Sequence, residues 1–318
     1  MMNSNSKNSN FFISVFLKKL FVSGFVTKMQ SNDKENENLI KQKNNDLCEE
    51  VDPEIIKKWK REQEMFKLKL KLYDTEPWQL NKSIYTPSSI SQTEQSINTY
   101  NSEHLRYVAG FDISFVKDHN TACSGLFVFD LSDNMKLVYQ DIDQNLIEME
   151  QPYIPGFLAY REAPFLLSKL EKLKKSNSHL YPHVIMVDGN GILHPNKFGL
   201  ACHCGLLSNT PTIGVSKKLL QVFGLENNEQ HKRNIKEKLQ KAGDYFELIS
   251  HEDEPQVLAM CYKSQNDTTS PIYISLGNMI SWPTCLWIVG LVTKKYRIPE
   301  PIRIADILTR EAIKKLLG

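Results

Sequence analysis

Tyr107-Val108-Ala109-Gly110-Phe111-Asp112-Ile113-Ser114-Phe115 is an apolar, β-prone run with a single charge inside it. Two further runs of the same kind follow closely, Ala122–Leu131 and Met135–Asp143, joined by the turn-prone pairs and triplets His119-Asn120 and Ser132-Asp133-Asn134. Short strands at such spacing predict an antiparallel meander. Beyond it the pattern changes to alternation: a helix over Gly156–Lys175, a strand at Val184–Val187, a helix over Gly199–Ser208 and a strand at Thr212–Val215. A helix over Glu229–Ala242, strands at Val257–Tyr262 and Ile272–Ser275, and helices at the C-terminal end complete the series. A meander followed by βα units predicts an α/β fold whose mixed sheet, part antiparallel and part parallel, is flanked by helices.

Working outward toward the N terminus, residues 81–103 are dominated by Ser, Thr, Asn and Gln and read as a polar surface insertion. Before it, Asp52-Pro53 is a helix-start signal, and Glu54–Tyr73 carries a partial apolar stripe of Ile55, Trp59, Met65, Leu68 and Leu72. A helix lying on the catalytic body is expected there. Residues 32–50 are polar, charged and rich in Asn and Lys, as in a linker. The first 31 residues hold four Lys and no Asp, Glu or Arg, a composition that fits either a mitochondrial presequence within residues 1–28 or an upstream extension with Met29 as the working start. The expected organisation is a disordered or processed extension, 1–52, and one catalytic domain, 53–318.

The 318 residues, 36.7 kDa, are 41% hydrophobic and 24% charged, enough to bury a full core and too mixed for a coiled coil or a disordered tail. Thirty-nine Lys plus Arg against 37 Asp plus Glu leave a formal charge of +2, so a surface for nucleic acid has to be local. Six cysteines without a CxxC spacing do not make a disulfide framework, and a reducing compartment is expected. The apolar segment Phe11–Val26 is interrupted by Lys18 and Lys19 and is too short to span a bilayer.

The chemistry sits on carboxylates. Asp112, inside an apolar strand, must find a partner or face a cleft. Asp188 ends the run Val184-Ile185-Met186-Val187, at the edge where open α/β sheets place ligands. Each alone equally reads as a hydrogen-bonded structural carboxylate; together they suit a shared divalent cation. Glu162, near the start of a helix, is favoured there by the helix dipole as well as by function. Oxygen-only ligation suits Mg²⁺ or Mn²⁺ and points to phosphoryl transfer. Cys202-His203-Cys204 lacks a second ligand pair and reads as packing rather than zinc. Pro152-Tyr153-Ile154-Pro155-Gly156 is a stiff loop able to hold Tyr153 out as a stacking platform or simply to pack it.

Longer motifs carry a resemblance. Gly110–Ser114, Pro152–Glu162, Val187-Asp188-Gly189-Asn190-Gly191-Ile192-Leu193-His194-Pro195, Ile213–Lys217, Leu219–Val222, Gly224–Asn228 and Arg297–Pro301, in this order, closely resemble the endonuclease V family, its eukaryotic branch in particular. The resemblance implies a ribonuclease H-like fold and an enzyme that recognises inosine in single-stranded RNA, or deoxyinosine in DNA, and cuts the second phosphodiester on its 3′ side. It implies Mg²⁺, replaceable by Mn²⁺, on Asp112 and Asp188, with Glu162 completing the site directly or through water. Lys217 matches a catalytic lysine and His194 a histidine near the scissile phosphate. Tyr153 matches a wedge that fills the stack, and Gly156, Leu158, Gly189, Gly191, Leu200 and Gly214 match the pocket for the flipped base.

Asn278 departs from the pattern: it stands where relatives usually have a histidine, and is expected near the metal as a weak ligand. A noncatalytic inosine-RNA binder is the alternative, against which the set Asp112, Glu162, Asp188 and Lys217 speaks. A monomer, in the nucleus including the nucleolus or in the cytoplasm and without a membrane, is expected. The basic residues Lys294, Lys295, Arg297, Arg303, Arg310, Lys314 and Lys315 read either as a phosphate track or as a solvated helix face.

Overall fold

A computed structural model describes residues 52–82 and 103–318. The chain divides into two units at Met65/Phe66. To the first belongs most of helix α1, Pro53–Lys67, opened by Asp52, whose carboxylate accepts from the Glu54 backbone N–H. This helix is shorter than the expected 54–73: the chain leaves it through turns at Lys69 and Leu70, and Leu68, assigned to the apolar stripe, is 86% exposed. The proposed extension 1–52 and insertion 81–103 lie almost wholly outside the described residues.

The larger unit is built on a sheet of β1 Tyr107–Phe115, β2 Thr121–Asp130, β3 Lys136–Ile142, β4 Ile147–Glu148, β5 Val184–Asp188, β6 Thr212–Ser216, β7 Tyr245–Ile249, β8 Val257–Tyr262 and β9 Ile272–Asn278. Its order is β3-β2-β1-β5-β6-β9-β8-β7, with β4 on β2. β1, β2 and β3 form the expected antiparallel meander. β5 and β6 then add parallel to β1, and β9, β8 and β7 return antiparallel. β7, Tyr-Phe-Glu-Leu-Ile, leaves Tyr245, Glu247 and Ile249 exposed and lies outside the strands expected from the sequence.

The helices are α2 Pro77–Asn81, α3 Leu158–Ser176, α4 Leu200–Ser208, α5 Glu229–Lys238, α6 Trp282–Val292 and α7 Glu300–Leu317. Strand alternation sorts them. Ala109 and Phe111 turn to one face of the sheet, where Leu166 and Leu170 of α3 and Ala201 and Cys204 of α4 cover them. Val108 turns to the other face and shares a core with Ile302 of α7 and Ile288 and Val289 of α6. Asp112, in step with Val108, therefore points toward α7.

Two glycines let α7 lie close on that face. A Cβ at Gly110 would stand 2.0 Å from the Pro301 carbonyl oxygen, and one at Gly125 would meet the Phe127 ring and Thr309. Gly125 is also the cross-strand neighbour of Asp112. Side chains at these positions would lift α7 off the sheet. Among the described residues, no helix is long and apolar enough to cross a membrane.

Candidate active site

Three elements converge at the carboxyl ends of β1 and β5. β1 brings Asp112, β5 ends on Asp188, and the second turn of α7 brings Asp306; oxygens of these three carboxylates all lie within 4.8 Å of one another. Asp112 is 7% exposed and accepts hydrogen bonds from the hydroxyls of Ser114, at 3.1 Å, and Thr309, at 2.8 Å. Burial raises its pKa, the charges of Asp188 and Asp306 add to the rise, and the two hydroxyls oppose it.

Lys217, just past β6, completes the group. Its Nζ lies 2.6 Å from Asp188 Oδ2 and 3.8 Å from Asp306 Oδ2. Arg310, one turn along α7, holds the other Asp306 oxygen at 2.8 Å from solvent-exposed ground. The donor set is hard oxygen, which fits a divalent cation of the Mg²⁺ class, and an unneutralised buried carboxylate at its centre is the electrostatic signature of such a site.

Glu162, on the first turns of α3, stands outside that group of three but within its field. Burial, then the charge of Asp112, raises its pKa to about 7; Arg161 opposes and Asp188 adds. At neutral pH it is poised between its two protonation states. His194 lies in the loop after β5, and burial lowers its pKa to about 4. Its Nδ1 faces the Asn196 backbone N–H at 3.2 Å. An accepting Nδ1 places the ring proton on Nε2, so His194 is a neutral donor at pH 7.

Asn196 also ties this loop to the Tyr153 loop, its Nδ2 donating to the Gly156 carbonyl at 3.3 Å. Gly156 has φ +83°, a conformation that favours glycine, and Tyr153 projects with 66% of its surface exposed. The glycines assigned to a base pocket separate by role. The missing Cβ of Gly189 faces Leu200 across 3.5 Å, an ordinary contact distance. Gly191 and Gly214 are instead packed on backbone, Gly191 against the Leu276 carbonyl and Gly214 against the 189–191 turn. They set the shape of that turn. Leu158 opens α3 half-buried, and Leu200 opens α4 at 8% exposure.

Two expectations need correction. Asn278 is not near the carboxylates: it pairs with Thr212 at the amino-terminal end of β6, whereas Asp188 pairs with Val215 toward the other end. Its Oδ1 accepts from the Lys71 backbone N–H at 2.9 Å, a structural bond. The residue that sequence reading missed is Asp306. In Ile302-Arg303-Ile304-Ala305-Asp306-Ile307 it looks like one more charge on an amphipathic helix. The only local signal is its place beside the buried Ala305 and three residues before the buried Thr309. Much of the basic C-terminal series is also occupied internally: Arg303 binds Glu300, Arg310 binds Asp306 and Arg297 donates to the Pro271 carbonyl. Cys202 and Cys204 are fully buried packing residues of α4, their thiols pushed up by burial.

Comparison with known proteins agrees with this geometry. The family described as Endonuclease V matches residues 90–307. Human endonuclease V is 40% identical over 266 residues, 83% of this chain and 86% of that protein. The crystal structure of human endonuclease V superposes with a TM-score of 0.71 at 39% identity, covering 83% of this chain and 100% of that one. That of Ciona intestinalis endonuclease V, in complex with a 24mer DNA containing an inosine followed by a ribo-adenosine, gives 0.67 at 31% identity over 83% of this chain and 99% of that one. The mixed sheet is thus a ribonuclease H-like nuclease fold, and the chain, an endonuclease with a carboxylate cluster able to hold a metal ion, belongs to the endonuclease V family.

Proposed function

We propose that this chain is a Mg²⁺-dependent endoribonuclease that recognises inosine in single-stranded RNA and hydrolyses the second phosphodiester on its 3′ side, leaving a 3′-hydroxyl and a 5′-phosphate. The observation that carries the reading is the convergence of Asp112, Asp188 and Asp306 with Lys217 at 2.6 Å from Asp188. The Ciona relative's complex adds a ribonucleotide directly after the inosine.

Asp112, Asp188 and Asp306 would hold the cation. When bound, it supplies positive charge to the phosphate and makes a water more acidic. Lys217, fixed beside Asp188, donates to charge developing on the phosphate or the leaving oxygen. Glu162, poised near neutrality, takes up and returns a proton in the same cluster. His194, neutral, offers Nε2–H to a phosphate oxygen without competing for the proton. Exposed Tyr153 stacks where the inosine has left its neighbours, and Gly189, directly after Asp188, with Leu200 across from it would form a wall of the pocket for the flipped base. Guanine's extra 2-amino group would meet that wall as an unpaired donor.

The test is cleavage of end-labelled single-stranded RNA carrying one inosine, beside guanosine and deoxyinosine controls, with Mg²⁺ or with chelator. Cutting of the inosine RNA one nucleotide beyond the lesion, lost in Asp112→Ala, is the expected result. Preference for the deoxyinosine strand would establish the second reading, DNA repair, which the DNA backbone of the Ciona complex favours. Retention of inosine RNA without cutting would make the chain a binder, and cutting that survives chelation would discard the metal-dependent mechanism.

A further inference from the structure

Next to the carboxylate cluster, which it meets at Lys217, a trough of about 970 Å³ runs from Lys217 and Lys218 to the loop before β9. Its cationic lining continues through Lys232 and Lys236, four residues apart on one face of α5, to Lys263 after β8; no Asp or Glu lines it. Its floor is apolar, with Leu219, Ile235 and Leu239. In a chain whose net charge is only +2, five lysines on one continuous depression are a local field of one sign.

The lysines are available to an anion. Lys232 and Lys236 stand on the exposed surface of α5. The one ion pair of Lys232, with Glu229 at 2.7 Å, is between side chains 58% and 77% exposed, the kind that water competes with and that contributes little. Lys263 is half-buried and braced by the Thr268 carbonyl at 2.8 Å, which orients its ammonium without neutralising it. The arginines of α7 differ: Arg303 and Arg310 already hold carboxylates.

We propose that this trough binds successive phosphates of the substrate strand beyond the reacting phosphodiester, so that it is the track along which the single strand leaves the metal site. The proposal rests on the reading that the reacting phosphate sits at the acidic cluster. Lys217 belongs to both places: its Nζ touches Asp188 and its stem lines the trough, so a strand in register with the one is delivered into the other. The one aromatic of the lining, Tyr273, is buried at 5% exposure with its hydroxyl on His231, so it offers no free ring face to a base, and the lysines suit backbone tracking rather than base reading.

The experiment is a salt titration of binding to single-stranded RNA without divalent cation, comparing wild type with Lys232→Gln/Lys236→Gln/Lys263→Gln and with the triple Lys→Arg variant. Loss of three phosphate contacts lowers the magnitude of the slope of log K against log salt by about 2, from roughly 0.7 per contact on single strands, and the arginine variant restores it. Because Lys263 braces a loop, Lys232→Gln/Lys236→Gln is measured too, with an expected decrease of about 1.4. Strands of about 6 nucleotides, too short to fill the trough, are cut at unchanged rate by the glutamine variants, while strands of about 30 bind roughly tenfold more weakly. An unchanged slope overturns the assignment. So does loss of poly-glutamate binding without loss of RNA binding, which would make the trough a site for an acidic polypeptide. Since the titration needs no cutting, a wild type that binds with the full slope but cuts no inosine strand refutes the nuclease reading and still supports the trough.

Discussion

Two groups of aspartates sit on the same sheet and do opposite things. At the β2–β3 edge, Asp143 accepts from the Ser124 backbone N–H and hydroxyl, both at 2.7 Å, and from Lys169 at 2.6 Å; Lys169 is itself 6% exposed. Next to it Asp141 takes Lys172 at 2.8 Å. Every charge there has been answered by the protein. At the β1–β5 end, Asp112, Asp188 and Asp306 crowd together; Asp112 receives only neutral hydroxyls, Lys217 is shared between the other two, and exposed Arg310 adds one more cation on Asp306. The first group consists of two finished ion pairs that tie α3 to the meander. The second keeps an excess of negative charge, which a bound divalent cation would offset. A buried carboxylate is therefore no sign of function by itself; what marks the site is charge that the protein leaves unanswered.

Substitutions test this contrast, beginning with the largest effect. Asp306→Ala removes a carboxylate from the unanswered group and is expected to lower cleavage on the order of a thousandfold, while thermal unfolding changes little or improves in the absence of metal. Lys169→Ala does the reverse: it strands Asp143 and costs about 3 kcal/mol or more of stability by chemical denaturation, with cleavage retained at a temperature where the protein stays folded. Equal loss of activity in both would abolish the distinction.

Lys217→Ala is expected to lower turnover about a hundredfold with substrate binding nearly unchanged; an unaltered kcat would make the lysine a mere counter-ion of Asp188. Thr309→Val keeps the shape of the α7 contact and deletes one of the hydroxyls on Asp112. It should weaken divalent-metal affinity about tenfold by calorimetry, with cleavage recovering at saturating metal.

The smallest effect is in the pH dependence of stability. Glu162 is held at about 7 against an ordinary 4.5, so the folded protein binds its proton more readily; that contribution is complete below pH 4.5 and is lost as pH rises through 7. His194 is held at about 4 against 6.5, so its contribution is present above pH 6.5 and is lost as pH falls toward 4. Between pH 5 and 6.5 the two slopes oppose. Glu162→Gln should leave a protein that loses about 1 kcal/mol per pH unit on acidification, and His194→Gln one that gains a similar amount. Denaturation midpoints for the pair across this window, moving in the same direction, would show that other groups dominate.

Much of this was legible in one dimension. The meander and the parallel strands were read from short apolar runs, because a strand's burial is written in its own alternation, and Asp112 inside β1 and Asp188 at the end of β5 stood out as charges in apolar company. The helix at α1 was read too long because Leu68 and Leu72 continue a stripe by spacing alone, whereas turns at Lys69 and Leu70 end it. β7, Tyr245–Ile249, was missed although four of its five residues are apolar, because Glu247 breaks the run and three positions stay exposed, so that pairing with β8 defines the strand.

Asn278 was misplaced and Asp306 overlooked for a common reason. Neither residue's neighbours in sequence say which end of the sheet it reaches. Asn278 lies on β9, whose antiparallel register carries it to the far end of β6. Asp306 lies on a helix whose seat is fixed by two distant glycines, Gly110 and Gly125. The amino-acid sequence by itself determined most of the strands, their buried faces and two carboxylates, one inside β1 and one closing β5, since each depends on local periodicity and on the cost of an apolar surface in water. Which third carboxylate joins them, and which lysines face the departing strand, was decided only by tertiary packing, because helix-on-sheet contact sets the approach of side chains nearly two hundred residues apart.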